Sequence, residues 1–137
     1  MQIEMNREAV IQGEGILNLI PQRPPIVMVD SFFGFEENRS YSGLTVTTDN
    51  LFCEAGRLQE PGIIEHIAQS AAARIGFIYT RQGEKVPLGF IGSVDKLKIY
   101  NFAGSRNEII YRDYRRTRGI RYYAYFGTSE NGRRADC

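Results

Sequence analysis

Hydrophobic and polar positions change their spacing along this chain, and each change predicts an element. From Ile26 to Phe52, "IVMVDSFFGFEENRSYSGLTVTTDNLF" is rich in β-branched and aromatic residues and divides at the polar stretch "EENRS", 36–40. Two extended runs around a turn predict an antiparallel strand pair. From Pro61 the apolar positions switch to three- and four-residue spacing: Ile64, Ile67, Ala68, Ala71, Ile75 and Ile78. That period predicts a helix of about five turns, with Pro61 in its first turn and Gln82-Gly83 at its end. Its middle is small as well as apolar (Ala71, Ala72, Ala73, Gly76), so neighbouring backbone can approach from several sides. Such a helix is expected to be enclosed by the rest of the fold. Ahead of the strand pair, Ile16 to Ile20 forms a short apolar turn that must stop at Pro21. Behind the helix, "PLGFIGSVDKLKIYNF" reads as a further extended run ending near Phe102. The order β-β-α-β predicts an α+β fold, an antiparallel sheet curled around one long central helix.

Composition narrows the class. A chain of 137 residues makes one domain with a single core. Hydrophobic residues at 42% and charged residues at 24% place it among globular proteins and against disorder. No apolar run is long enough to span a bilayer, and "MQIEMNREAVIQGEG" has acids where a signal peptide needs a basic patch, so a cytoplasmic protein is expected. Cys53, Cys137 and the single histidine, His66, have no metal-site spacing, which disfavours zinc and a disulfide framework and reads the thiols as buried or idle. There is no internal repeat and no phosphate-binding glycine loop. No metal and no cofactor are expected.

The chemistry lies in "PGIIEHIAQSAA", 61–72. Glu65 and Gln69 sit one helical turn apart, on one face, within a stretch otherwise as apolar as a core. An acid in the first turns of a helix is more often solvated and held by the macrodipole than catalytic. Burying it instead requires a raised pKa or a strong hydrogen-bonding partner, and Gln69 is placed to orient either the acid or a ligand. The first-turn N–H groups around Gly62 and Ile63 are expected to lack intrahelical partners, ready to hold a carbonyl oxygen as it gains negative charge.

At this point the chain resembles a known family. "LIPQRPPIVMVD", 19–30, is similar to the LPHRxPFLLVD segment of the hotdog-fold β-hydroxyacyl-acyl-carrier-protein dehydratases, and "EHIAQ", 65–69, to their E-x-M-A-Q helix. The resemblance covers roughly residues 14 to 103, and the two motifs fall in the family's order. "FCEAGRLQEPGIIEHIAQSAAARIGF" most resembles the divergent branch associated with aryl-polyene and flexirubin pigment synthesis. The resemblance implies a homodimer with substrate tunnels at the subunit interface. The acyl chain would be delivered by acyl carrier protein on its phosphopantetheine arm, without nucleic-acid or membrane partners. It also implies that water is eliminated from a 3-hydroxyacyl thioester to give the trans-2-enoyl product, as in fatty-acid synthesis. By position Glu65 inherits the role of the acid, Gly62 that of the backbone donor to the thioester carbonyl, and Gln69 that of the residue steadying the acid. Phe52 and Arg57 join the expected substrate-binding residues.

One departure is plain. The family's G-H-F-P, which carries its catalytic histidine, aligns with "GRLQ", 56–59, and puts Arg57 where the imidazole should be. A guanidinium cannot act as a general base at neutral pH. His66, the one imidazole in the chain, is with Glu65 a candidate catalytic residue, although its helical position turns it about 100° from Glu65. Glu65 performing both proton transfers, a hotdog thioesterase using the acid to activate water, and a non-catalytic acyl-binding subunit therefore stand beside the dehydratase reading.

The last 27 residues, 111–137, break the pattern. They hold seven arginines, no lysine, three acids and five of the eight tyrosines. At face value "EIIYRDY" and "IRYYAYFG" form a hairpin around "RRTRG". Arginine interleaved with tyrosine would also suit a nucleic-acid surface. A third reading accounts for the break itself. Back-translated with permitted codons and read one nucleotide later, Tyr111 to Cys137 becomes "TEIIVEQEVFAITLISAQVKMDGELIA". This peptide has two β-branched strand runs and an Asp-Gly turn, and resembles the family's missing end. A single-nucleotide frameshift near codon 110 is the expectation, and the function then belongs to the in-frame parent.

Overall fold

A computed structural model describes residues 8–35 and 40–87, and the backbone of 36, 39, 107–116 and 119–128. The chain enters through a two-residue strand β1 (Ile11–Gln12) and a 3-10 helix over Gly13–Asn18, then forms β2 (Ser31–Glu36) and β3 (Arg39–Thr45). A small ribbon, β4 (Cys53–Glu54) and β5 (Arg57–Leu58), leads into helix α1 (Glu60–Arg81). Two ten-residue strands follow, β6 (Asn107–Arg116) and β7 (Gly119–Thr128). The main sheet is antiparallel in the order β1-β2-β3-β6-β7, and α1 lies against β2, β3 and β6.

The strand pair divides where the polar stretch falls, and α1 follows the apolar period closely. Pro61 occupies the first turn, where a missing N–H costs nothing. The far end is closed by Gly83 at φ 69°, with Gly83 N–H bonded to Thr80 O and Glu84 N–H to Tyr79 O. That pair of bonds is a Schellman motif, which only a residue tolerant of positive φ completes cheaply. The β4–β5 ribbon, which sequence spacing does not signal, turns through Ala55 (φ 51°) and Gly56 (φ 78°). Two positive φ values in succession make the tight turn that matches strand twist. Gln59 ties the ribbon to the helix: its N–H bonds Phe52 O at 2.8 Å, and its side chain donates to Glu54 O and Arg57 O. Cys53 is disulfide-bonded, which corrects the reading of an idle thiol there. Cys137 and the extended run predicted over 88–102 lie outside the described residues.

Two apolar clusters hold α1 in place. One joins Ile16, Leu19, Ile20, Val29 and Phe32 to Ala73 and Phe77; the other joins Met28, Leu44, Val46 and Leu58 to Ile63. Each large side chain buried here stabilises the fold by roughly 1.5–3 kcal/mol. A bulge between Phe32 and Gly34 shifts the β2 register, and Phe32 and Phe35 both reach Phe77, with ring centroids 4.9 and 6.1 Å apart.

Gly76 marks the closest approach. A Cβ built there would stand 1.9 Å from Leu19 O, a backbone atom that cannot swing aside. Gly→Ala inside a helix ordinarily stabilises by about 1 kcal/mol. Here the sign is expected to reverse: Gly76→Ala should lower the denaturant midpoint by the equivalent of about 2 kcal/mol or more, measured by urea unfolding.

The sheet register also bears on the tail. Leu44 and Ser42 pair with Ile109 and Tyr111, so positions 109, 111, 113 and 115 form one alternating row of β6. As written, that row continues with Asp113 and Arg115; in the shifted frame it continues with isoleucine and valine. Asp113 pairs with Tyr122, where the shifted frame has another isoleucine. The frameshift therefore stands as our proposal for residues 111–137. Sequencing the coding DNA is expected to give these β-branched strands one base later, and any other translation there removes the proposal.

Candidate functional site

The site forms where the first half of α1 meets the segment Ile26–Met28. Gln69 is fully buried and uses its whole amide. Its Oε1 accepts the Met28 N–H at 2.6 Å; its Nε2 donates to Ile26 O at 2.7 Å and to Glu65 Oε1 at 2.9 Å. The amide orientation is thereby fixed, since a backbone N–H needs an acceptor and a carbonyl needs a donor. Glu65 is half-buried, with one carboxyl oxygen held by an amide that cannot turn away. The other oxygen, Oε2, is the one left to carry a proton in the acid form, because an amide N–H only donates.

His66 occupies the next position on the helix and points into the protein, not beside Glu65. It is fully buried, with Nδ1 at 2.6 Å from Met28 O and Nε2 at 3.5 Å from Ser70 Oγ. A carbonyl oxygen only accepts, so Nδ1 carries the hydrogen. Burial pushes the imidazole pKa from 6.5 down to about 4, partly opposed by the bond to Met28. The ring is neutral at pH 7.

Gly62 is buried at the helix start, and a Cβ there would come within 2.6 Å of Phe52 Cβ and 2.7 Å of Leu58 Cδ1. The bare Cα is what lets Phe52 and Leu58 pack on the first turn. The expectation of free donors at Gly62 and Ile63 is corrected: both N–H groups bond Gln59 O, at 3.0 and 3.2 Å. The helix begins one residue earlier than Pro61, so these two groups belong to its first closed turn rather than to its open end. Phe52 is half-buried against the Met28 cluster, and Arg57 is exposed on β5. The residues that sequence reasoning missed are Met28 and Ile26, whose backbone groups complete the site. Both lie in "LIPQRPPIVMVD", a segment that carries the family resemblance, but nothing in it marks their backbone groups.

A family model for ApeP-like proteins, described as ApeP dehydratase, matches residues 14–103. Among solved structures, the dehydratase heterocomplex ApeI:P from Xenorhabdus doucetiae superposes with a TM-score of 0.73 at 15% sequence identity, covering 81% of this chain and 80% of that chain. At that identity the likeness carries the architecture, and the fold is the α+β hotdog fold. No curated protein matches the chain. No helix among the described residues is long and apolar enough to cross a membrane, and no group of side chains among them is arranged to hold a metal ion.

The buried imidazole makes stability depend on pH. Its folded pKa lies below its unfolded value, so above pH 6.5 both states are neutral there and the fold loses nothing. As pH falls from 6.5 towards 4 the unfolded chain takes up a proton that the folded chain refuses. Stability should drop across that window by on the order of 3 kcal/mol. Urea unfolding at a series of pH values is expected to show this slope, and to show it flattened in His66→Asn, which keeps an N–H donor and does not titrate.

Proposed function

Because the chain belongs to the ApeP-like dehydratase family, we propose that Glu65 is the proton donor in the dehydration of a carrier-bound 3-hydroxyacyl thioester. The observation that carries this is the hydrogen bond from Gln69 to Glu65 Oε1, made by an amide locked on both sides by the backbone of Ile26 and Met28. In the reaction a base takes one α-proton, the Cα–Cβ double bond forms as the C–O bond breaks, and Glu65 Oε2 delivers its proton to the departing hydroxyl, which leaves as water. The product is the trans-2-enoyl thioester. Proton exchange with solvent then resets acid and base. Aryl-polyene or flexirubin-type synthesis is the setting that the family supports, with acyl carrier protein presenting the substrate.

The base is the open half of this chemistry. His66 is buried, and its Nδ1–H is given to Met28 O. Arg57 stays protonated at any working pH. The chain has one histidine, so a second identical copy would bring another His66 and no new kind of imidazole. This favours a dissimilar hotdog subunit that supplies the base across the interface, in line with the heterocomplex named for the similar structure. The same reasoning gives a non-catalytic acyl-binding subunit as the second reading. In either case the activity belongs to the in-frame parent if the tail is frameshifted.

A carrier-bound 3-hydroxyacyl thioester, incubated with the chain and a histidine-bearing hotdog subunit, is expected to lose one water by mass spectrometry. Glu65→Gln should reduce the rate roughly 100-fold or more. Release of free carrier thiol would identify a thioesterase instead. Carrier binding that persists with no turnover in either mixture would leave the non-catalytic subunit.

A further inference from the structure

The backbone of Met28 is held on both sides by one face of α1. Its N–H goes to Gln69, 41 residues on, and its C=O to His66, 38 residues on. The two side chains are three positions apart, so they project from neighbouring sites on the helix and reach one residue of the facing segment together. We propose that His66 is a positioning residue: its ring N–H fixes the Met28 carbonyl, which fixes the partner of Gln69, which in turn fixes Glu65. This role rests on Glu65 being the acid, but its geometry stands without any turnover.

Three features support the assignment over a direct part in proton transfer. The ring is fully buried, the nitrogen nearest the facing segment is committed as a donor, and the other nitrogen has Ser70 Oγ, from its own helix, at 3.5 Å. A base needs its lone pair aimed at the substrate's α-proton. Gln69 has no spare group with which to compensate for a shift of Met28, because its oxygen and both amide hydrogens are engaged. If the carbonyl of Met28 moves, the Gln69 amide must follow or break one of its three bonds. Of the three partners only Glu65 is a side chain, able to turn about its own bonds, so that bond is the one expected to loosen.

Two substitutions separate positioning from chemistry. Asn Nδ2 can take the place of the ring Nδ1–H, whereas Leu fills the volume and offers no donor. In His66→Asn, turnover with the complementing subunit should stay within about threefold of the parent, with the Glu65 carboxyl 13C shift unchanged. In His66→Leu, kcat should fall roughly tenfold to a hundredfold with KM little altered, and the Glu65 signal should move. In the parent protein, 15N shifts of the ring should report a neutral imidazole with hydrogen on Nδ1. Loss of activity in His66→Asn with an unmoved Glu65 signal would overturn the proposal in favour of a chemical role. A Glu65 signal indifferent to His66→Leu would overturn it in favour of packing alone. Should no preparation turn over substrate, the dehydratase reading fails, and the 13C and 15N signals still decide whether His66 governs Glu65.

Discussion

The arrangement around Glu65 depends on one residue, Met28, whose backbone N–H and C=O are both bonded to side chains of α1. A peptide group buried without a partner costs on the order of a lost hydrogen bond at each end. Segment 26–28 is not a strand and has no ladder to satisfy it. Gln69 and His66 supply what a neighbouring strand would have supplied. The polar residues on this apolar helix are thus explained first by the backbone they face, and only then by any reaction.

That constraint also orders the rest of the site. Once the Gln69 oxygen is spent on Met28, its nitrogen must face Ile26 O and Glu65, and the acid is held by a neutral amide. Around this point the packing leaves little slack. Gly62 has Phe52 and Leu58 against its bare Cα, and Gly76 has the Leu19 carbonyl against its own. The helix is pressed on two levels by segments that precede it in sequence, by side chains at Gly62 and by backbone at Gly76.

The single imidazole illustrates how burial redirects a familiar side chain. A histidine beside a glutamate in an apolar helix invites a catalytic reading, yet desolvation lowers its pKa to about 4 and the Met28 carbonyl selects its tautomer. What remains is a rigid, neutral N–H donor. Arg57 is the converse case, a permanent charge on an exposed ribbon at the position where the family resemblance expects an imidazole. With neither residue fit to accept a proton, the proposed reading of Glu65 as the acid leaves the base to a dissimilar subunit.

The sequence alone determined the elements whose causes are local. The period of Ile64 to Ile78, with Pro61 and Gly83 at the ends, is enough to write α1 because helical geometry is decided within a few residues. The strand pair around "EENRS" and the shared face of Glu65 and Gln69 are local in the same sense. The composition break at Tyr111 was equally legible, since it needs no structure to be seen. Tertiary structure decided everything that joins residues far apart in the chain. No pattern announces that His66 and Gln69 will meet Met28 some forty positions away, that Leu19 will press on Gly76, or that Gln59 will close the first turn and occupy the Gly62 N–H. These contacts follow from how the helix docks on the sheet, and docking is a property of surfaces that exist only after both elements have formed.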